Sequence, residues 1–310
     1  MTRPRNSALT GIAFKIASVL IFLIMSSLLK ASQGIPAAEL VFFRSSFGIV
    51  PVVAFIASRG ELGSALKSNS VISQIWRGLV GTASMGLGFL ALTKLPLPEA
   101  VTLNYATPLM IVVVSALFMQ ERVRLYRWSA VVVGLVGVVI IAWPRLTLFS
   151  SGVGGDAAVG IVAALVACAL AAIAMLLVRK LVQTERSSTI VLYFLVSSSV
   201  ISALLLPFGW VTPTPLQAAY LVGAGICGGI AQILLTESYR HAEMSVVAPF
   251  EYSSLIFSVL IGYFFFGDVP TLYMLVGGVI VVGSGLFIIW REHRLGLDRS
   301  KARELTTPQG

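Results

Sequence analysis

Three ionisable residues lie inside long apolar runs, where a charge is costly. Glu251, Arg44 and Lys15 each fall within a run long enough to cross a bilayer. An ionisable side chain at membrane depth costs roughly 2.5–3.5 kcal/mol on insertion scales, so it usually marks a binding site or a transport pathway. A carboxylate in such a place can also load and release a proton, which makes Glu251 the candidate for proton coupling.

A polar stripe accompanies Glu251 along its helix. Glu251, Ser254 and Ser258 are spaced i, i+3 and i+7, so they share one helix face. Asn104 and Thr107 repeat the i, i+3 spacing in an earlier apolar run. Two such stripes that face each other would line a common cavity. The alternative is that the hydroxyl groups donate to carbonyl oxygens of their own helix.

Arg44 and Lys15 each allow a functional and a structural interpretation. Arg44 lies about 12 Å along its helix from Pro36, which is too deep for easy snorkelling. It therefore either binds an anionic group of a substrate or pairs with Glu251 or Glu39 to hold the bundle. Lys15 is about one and a half turns into the first apolar run. Its ammonium group either snorkels to the membrane surface or places a charge at the mouth of a pathway.

Aromatic and amide side chains complete the predicted binding site. Tyr105 and Tyr252 either stack on a flat ring or seal the helix bundle. Gln232 shares a helix face with Gly225 and Gly229, whose spacing permits close helix packing. The residues predicted to contact a substrate are Glu251, Asn104, Tyr105, Tyr252, Gln232, Arg44, Ser254, Thr107 and Lys15.

The composition is that of a polytopic membrane protein. Of 310 residues, 57% are hydrophobic and only 11% are charged, and the mean hydropathy is +0.94. Soluble domains carry about 25% charged residues. The net charge of +9 is spread over short loops and the C-terminal tail, so it reflects membrane topology rather than nucleic-acid binding. The two cysteines lie inside apolar runs and are expected to pack there.

Ten segments are long enough to span a bilayer. They are Leu9–Leu29, Pro36–Ala57, Ile75–Thr93, Pro98–Met119, Trp128–Trp143, Ala157–Val178, Ser188–Phe208, Leu216–Thr236, Met244–Phe266 and Thr271–Trp290. Pro144, Pro207 and Pro270 are expected to mark helix ends. If the N-terminus is cytoplasmic, the outside loops hold only Lys30, Lys94 and Arg145 of the 22 basic residues. This asymmetry predicts that both termini are cytoplasmic.

The sequence also contains an internal repeat. A shift of 147 residues superposes the third to fifth segments on the eighth to tenth without a gap, so that Asn104–Tyr105 falls on Glu251–Tyr252. The same shift places Gln120–Glu121 on Gly267–Asp268. Each half has five helices, so the second half enters the membrane in the opposite sense. Inverted-topology repeats are typical of secondary transporters, whose sites lie near the midplane.

The predicted fold is therefore an all-α membrane protein with two five-helix inverted repeats. We expect the first repeat in residues 1–147, the second in 148–290 and a basic cytoplasmic tail in 291–310. The tail is polar, has no apolar stripe and is predicted to be disordered, with its basic residues close to anionic lipid.

This pattern resembles the ten-helix EamA-type branch of the drug/metabolite transporter superfamily. The resemblance rests on Arg44, on residues 98–108 (Pro-Glu-Ala-Val-Thr-Leu-Asn-Tyr-Ala-Thr-Pro) and on residues 242–252 (Ala-Glu-Met-Ser-Val-Val-Ala-Pro-Phe-Glu-Tyr). Asp268 stands where the family commonly shows glutamate. The resemblance implies an inner-membrane carrier that moves a small organic metabolite by alternating access. The chain looks like members that take up riboflavin-type vitamins, with amino-acid or S-adenosylmethionine transport as the alternative.

Other classes of function find little support in the sequence. The only two histidines are His241 and His293, both near helix ends, so no metal site, cofactor or catalytic group is expected. An intramembrane enzyme is the remote alternative. No Gly-rich nucleotide loop is present, which argues against direct use of ATP. The expected partners are a small-molecule substrate and the lipid bilayer, without nucleic acid, and a homodimer is compatible with the sequence.

Overall fold

The computed structural model describes residues 5–65, 67–118, 125–150, 155–182, 184–205, 207, 209–242 and 244–306. Within these ranges the chain is helical and contains no strand, as the sequence predicts. The helices are α1 (Arg5–Ala31), α2 (Ala37–Ser58), α3 (Leu62–Ala65), α4 (Val71–Lys94), α5 (Leu97–Asn104), α6 (Thr107–Phe118), α7 (Leu125–Ser150), α8 (Gly155–Leu181), α9 (Ser187–Leu204), α10 (Pro215–His241), α11 (Met244–Val247), α12 (Ser253–Ile261) and α13 (Leu272–Thr306). A 3₁₀ turn, Ala248–Tyr252, joins α11 to α12, and a π turn, Gly262–Phe266, follows α12.

In the described part of the chain, ten segments are long and apolar enough to cross a membrane. The first, second and third spans are α1, α2 and α4, and the fourth comprises α5 and α6. The fifth to eighth are α7, α8, α9 and α10. The 3₁₀ turn, α12 and the π turn form the ninth span, and α13 holds the tenth. The predicted number of spans is thus confirmed.

The fourth and ninth spans are both broken, at positions that the repeat makes equivalent. The prediction of one continuous fourth helix, Pro98–Met119, is wrong, because α5 ends at Asn104 and α6 begins at Thr107. Pro108 has no N–H to bond the carbonyl group of Asn104, which weakens the helix there. Tyr105 has φ −68° and ψ −7°, and Tyr252 has φ −69° and ψ −9°. The two breaks therefore share a backbone conformation.

The contacts between spans fix the relative direction of the fourth and ninth spans. The N–H of Leu97, at the start of α5, donates to Asp268 Oδ2 beyond the end of the ninth span (2.9 Å). The rings of Tyr105 and Tyr252 meet in the middle, with centroids 5.0 Å apart. These two repeat mates therefore run antiparallel, as an inverted repeat requires. The inversion of the whole halves and the cytoplasmic position of the termini stay predictions.

Equivalent spans of the two predicted halves make equivalent helix contacts. The first span packs along the eighth and the third packs along the sixth, so the exchange converts one pair into the other. Likewise the second span contacts the eighth while the third contacts the seventh. The fifth and tenth spans, which are mates, pack against each other. This is the arrangement expected when two similar five-helix units interlock.

The second and eighth spans approach closely because glycines line their contact. A side-chain carbon at Gly225 would lie 2.7 Å from the carbonyl oxygen of Phe43, and one at Gly229 would lie 2.6 Å from that of Gly48. The predicted packing role of Gly225 and Gly229 agrees with this geometry. The absence of a side chain is therefore what allows α2 to lie on α10.

Two features at helix ends differ from the sequence predictions. Pro144 lies inside α7 rather than at its end, which membrane helices tolerate when neighbouring groups satisfy the freed carbonyl group. α13 continues to Thr306, so the prediction of a disordered tail is wrong for 291–306, where Arg, Leu, Glu, Ala and Lys are strong helix formers. Gln120, Glu121 and the last four residues lie outside the described residues.

Gly229→Ala is expected to destabilise the protein by about 1–3 kcal/mol, because the added methyl group must displace the backbone of α2. The measurement is thermal unfolding of the purified protein in detergent. Gly283→Ala is the matched control, since no atom lies within 4 Å of the position that its methyl group would take. Equal stability of the two variants would contradict the close packing of α2 on α10.

Candidate functional site

Lys15 and Glu251 form an ion pair that joins α1 to the 3₁₀ turn. The side chain of Lys15 is only 2% exposed, whereas that of Glu251 is 53% exposed. Lys15 therefore does not snorkel to the surface. Glu251 lies just before α12, three and seven residues ahead of the buried Ser254 and Ser258, and its own side chain stays half exposed.

The packing of α1 on α10 directs Lys15 inward. Ser18 Oγ donates to the carbonyl oxygen of Ala231 (2.8 Å). A side-chain carbon at Gly11 would lie 2.6 Å from Cβ of Ala242, so the helices nearly touch there. Gly11, Lys15 and Ser18 are spaced i, i+4 and i+7 and occupy one face. That face packs on α10 and carries the lysine into the protein interior.

Tyr239 completes the surroundings of this ion pair. The Nζ atom of Lys15 lies 5.7 Å from the centroid of the Tyr239 ring, within the range of a cation–π interaction. Sequence reasoning missed Tyr239, because an aromatic residue near a helix end carries no polar signal of its own. The only available signal was its place on the same helix as Gln232.

A hydrogen-bonded chain crosses the centre of the molecule between the two broken spans. Ser254 Oγ donates to the carbonyl oxygen of Glu251 (2.7 Å), so the hydroxyl group of Tyr105 must donate to Ser254 Oγ. The rings of Tyr105 and Tyr252 contact each other at an angle of 53°. Since both tyrosines are repeat mates, the contact between them lies where the two halves meet. The structure thus shows the two tyrosines in contact at this junction.

A cavity of about 220 Å³ lies between α1, α4, α5, α6 and α8. Asn104 and Thr107 line it, as the predicted polar stripe of the first half requires. The cavity is smaller than the range of about 300–1,000 Å³ that is usual for ligand pockets, so it holds a metabolite only after the helices separate further. Its other polar lining residues are Ser26, Ser84 and Cys168.

The predicted site residues fall into separate groups. Lys15 and Glu251 form the ion pair, Tyr105, Tyr252 and Ser254 form the central junction, and Asn104 and Thr107 line the cavity. Gln232 is half-buried on α10 and does not line the cavity. Ser258 donates to the carbonyl oxygen of Leu255, as in the structural interpretation of the hydroxyl groups.

Arg44 pairs with neither of the carboxylates proposed for it. Glu251 pairs with Lys15 instead, and Glu39 Oε2 accepts a hydrogen bond from the N–H of Val211 (3.2 Å). The side chain of Arg44 is buried in α2, at 7% exposure. Neither ion pair considered for Arg44 is therefore formed, and its binding of an anionic group stays a prediction.

A second ion pair joins the other ends of the first and ninth spans. Lys30 Nζ lies 3.2 Å from Asp268 Oδ2 and donates to the carbonyl oxygen of Leu95 (2.8 Å). The same Oδ2 atom accepts from the N–H of Leu97. α1 is thus attached to the ninth span near both of its ends, and the loop between α4 and α5 is tied in at one of them. The sequence showed Asp268 only as a repeat mate of Glu121.

Nothing in the described ranges resembles a catalytic centre. No group of three or more His, Cys, Asp or Glu side chains there could hold a metal ion. Cys168 and Cys227 are not joined by a disulfide, and Cys168 Sγ lies 3.5 Å from the carbonyl oxygen of Leu103.

The chain is similar to known membrane transporters in sequence and to a solved structure in fold. The profile of the EamA-like transporter family matches residues 8–143 and again 158–290. A pseudopaline exporter of Pseudomonas aeruginosa is 30% identical over 88% of this chain and 93% of its own. A riboflavin transporter of Rhizobium johnstonii is 30% identical over 92% and 90%, and an S-adenosylmethionine uptake transporter of Rickettsia bellii is 26% identical over 83% and 84%. A crystal structure of a 21% identical protein superposes over 92% of this chain and 97% of its own, with a TM-score of 0.61.

Removal of both charges of the Lys15–Glu251 pair is expected to cost less than the sum of the two single removals. Each single change leaves one charge without its partner inside the bundle. Lys15→Gln, Glu251→Gln and the double variant should give a coupling energy of about 0.5–3 kcal/mol in a double-mutant cycle of unfolding in detergent. Additive effects would show that the two side chains do not interact.

Proposed function

Because the chain belongs to the EamA-like transporter family of the drug/metabolite transporter superfamily, we propose that it is a secondary carrier that moves a small organic metabolite by alternating access. It is a multi-pass membrane transporter, and its bacterial relatives place it in the inner membrane. The observation that carries the proposal is the buried lysine paired with a carboxylate at the break of the ninth span. Charged side chains at a discontinuous membrane helix are typical of secondary transporters.

The two ion pairs of the first and ninth spans supply a way to alternate. Lys15–Glu251 and Lys30–Asp268 lie at opposite ends of the same helix contact. When one pair separates, α1 can move from the ninth span at that end while the other pair acts as a pivot. The cavity beside Asn104 then opens to one side at a time. With the termini in the cytoplasm, Lys15–Glu251 is on the inner side and Lys30–Asp268 on the outer side.

Glu251 is the group that couples this movement to protons. Protonation removes the negative charge that holds Lys15, so it weakens the pair and frees α1. The hydrogen bond from Ser254 to the backbone of Glu251 connects the same turn to Tyr105, which belongs to the other half. A change of charge at Glu251 can therefore alter the contact between the two halves, through Ser254 and Tyr105.

Glu251→Gln is expected to abolish the dependence of transport on a pH gradient, because an amide cannot carry a proton between the two sides. The measurement is metabolite uptake into proteoliposomes with and without an imposed gradient. Glu237→Gln is the control, since Glu237 pairs with Arg59 on α2 and lies outside the site. If a pH gradient drives uptake by Glu251→Gln as strongly as uptake by the wild type, Glu251 does not couple transport to protons.

For the substrate, we propose a riboflavin-type vitamin taken up into the cell. A flat and electroneutral ring system suits Tyr105, Tyr252 and Asn104, and two riboflavin transporters are among the relatives. An amino acid or S-adenosylmethionine is the alternative, and the Rickettsia relatives are named as transporters of the latter. A carboxylate distinguishes the two substrate classes, since amino acids and S-adenosylmethionine carry one and riboflavin does not.

Expression of the chain in a riboflavin-auxotrophic bacterium tests the vitamin assignment. We expect growth at low external riboflavin and uptake of labelled riboflavin above that of the empty host. Asn104→Ala should reduce the uptake, because the amide lines the cavity. Absence of both growth and uptake, with the protein present in the membrane, would exclude riboflavin as the imported substrate.

A further inference from the structure

Two arginines inside the bundle, Arg44 and Arg77, form no ion pair with any residue that the structure describes. Arg44 on α2 is 7% exposed, and Arg77 on α4 is partly buried. In both side chains, the Nε and Nη1 atoms are buried without a hydrogen-bond partner. Within the described residues, neither arginine forms an ion pair. Buried guanidinium groups are normally paired, so these two side chains are candidates for binding an anion.

Packing rather than hydrogen bonding fixes these two side chains. The guanidinium carbon of Arg77 lies 3.6 Å from the centroid of the Phe194 ring on α9. A side-chain carbon at Gly81 would meet both Phe194 and Arg77 Nη1, at 2.8 and 3.3 Å. Arg44 Nε lies 3.3 Å from the position that a side-chain carbon at Gly228 would take. Glycines thus make room for both guanidinium groups.

The two arginines lie on helices that pack against each other, and further unpaired polar atoms occur on the same helices. Arg44 is on α2 and Arg77 on α4, and α2, α4 and α9 all pack against one another. Buried polar atoms without partners also occur there on Ser45, Gln74 and Thr189. An anion held among these helices would give the unpaired donors a partner.

This cluster adjoins the cavity described above. The position that a side-chain carbon at Gly228 would take is also 2.9 Å from the sulfur of Met25, the neighbour of the cavity residue Ser26. Val41, one helical turn before Arg44, lies 3.9 Å from the corresponding position at Gly86. The neighbour of Gly86, Met85, lines the cavity. Arg77 thus lies on α4, which lines the cavity, and Arg44 lies on α2, which packs against α4.

We propose that Arg44 and Arg77 form an anion subsite that binds the carboxylate of the transported metabolite. A planar guanidinium group matches a carboxylate with two parallel hydrogen bonds, and two such groups can hold both oxygens from opposite sides. The proposal rests on the carrier function and narrows its substrate. It applies to the alternative substrate class, an amino acid or another carboxylate-bearing metabolite, and the riboflavin uptake test above decides between that class and the vitamin.

Anion binding is measured on the purified protein in detergent, without transport. The buffer anion is a bulky sulfonate, and the probes are sodium acetate, acetamide and methyl phosphate, at equal ionic strength. At an acetate concentration ten times its Kd, we expect the melting temperature to rise by roughly 2 °C. Acetamide, which has the same shape but no charge, should leave it unchanged.

Variants locate the effect. Arg44→Gln and Arg77→Gln should each abolish the response to acetate, whereas Arg59→Gln, whose charge pairs with Glu237 at the surface, should retain it. An equal response to acetamide, no response of the wild type, or a response that survives both substitutions would overturn the proposal. Stabilisation by methyl phosphate alone would also overturn it, because the site would then suit a lipid headgroup rather than a carboxylate. The comparison of acetate with acetamide needs no variant, so it holds even if the arginine variants fail to fold.

The outcomes separate this proposal from the carrier function. Uptake of a metabolite into proteoliposomes without any acetate response would leave the carrier in place and remove the anion subsite. An acetate response confined to the two arginines, with no uptake of riboflavin, amino acids or S-adenosylmethionine, would keep the subsite and count against the carrier. Inhibition of metabolite uptake by acetate but not by acetamide would show that the anion subsite takes part in transport.

Discussion

The need to pair charges inside the membrane organises this structure. A lysine and a glutamate at membrane depth are each costly alone, and the bilayer offers no water to solvate them. Lys15 and Glu251 meet across 236 residues of sequence, and Lys30 and Asp268 meet across 238. Both pairs join α1 to the ninth span. Ion pairs therefore join the first span to the ninth near both ends, while the packing of α1 on α10 and the glycine-lined contact of α2 with α10 depend on shape.

The fourth and ninth spans are each interrupted at membrane depth, where irregular backbone is costly. Irregular backbone at membrane depth is tolerated only where protein or a water-filled cavity covers it. Here Tyr105 and Tyr252 cover each other's break, and Ser254 links them to the backbone of Glu251. The residue before each tyrosine differs, because Asn104 carries a neutral amide and Glu251 a carboxylate. The two breaks are thus alike in the backbone angles of their tyrosines and different in the charge beside them.

Sequence reasoning predicted what depends on local pattern. Hydropathy gave ten spans, and the shift of 147 residues identified Tyr105 and Tyr252 as mates before any contact was known. It did not find the partner of Glu251, because the pairing depends on how α1 lies on α10. It missed Tyr239 and Arg77, which look like ordinary residues near helix ends. It also gave Arg44 two acidic partners that the packing sends elsewhere, since burial and direction of a side chain are tertiary properties.

The accessibility of Cys168 tests the central claim, that two ion pairs open one cavity on opposite sides. Cys227→Ala leaves Cys168, which lines the cavity, as the sole cysteine. A membrane-impermeant maleimide is applied to right-side-out and inside-out vesicles. Asp268→Asn should increase labelling from the side where α1 ends, and Glu251→Gln from the side where α1 begins. An increase from the same side in both variants, or in neither, would contradict the account.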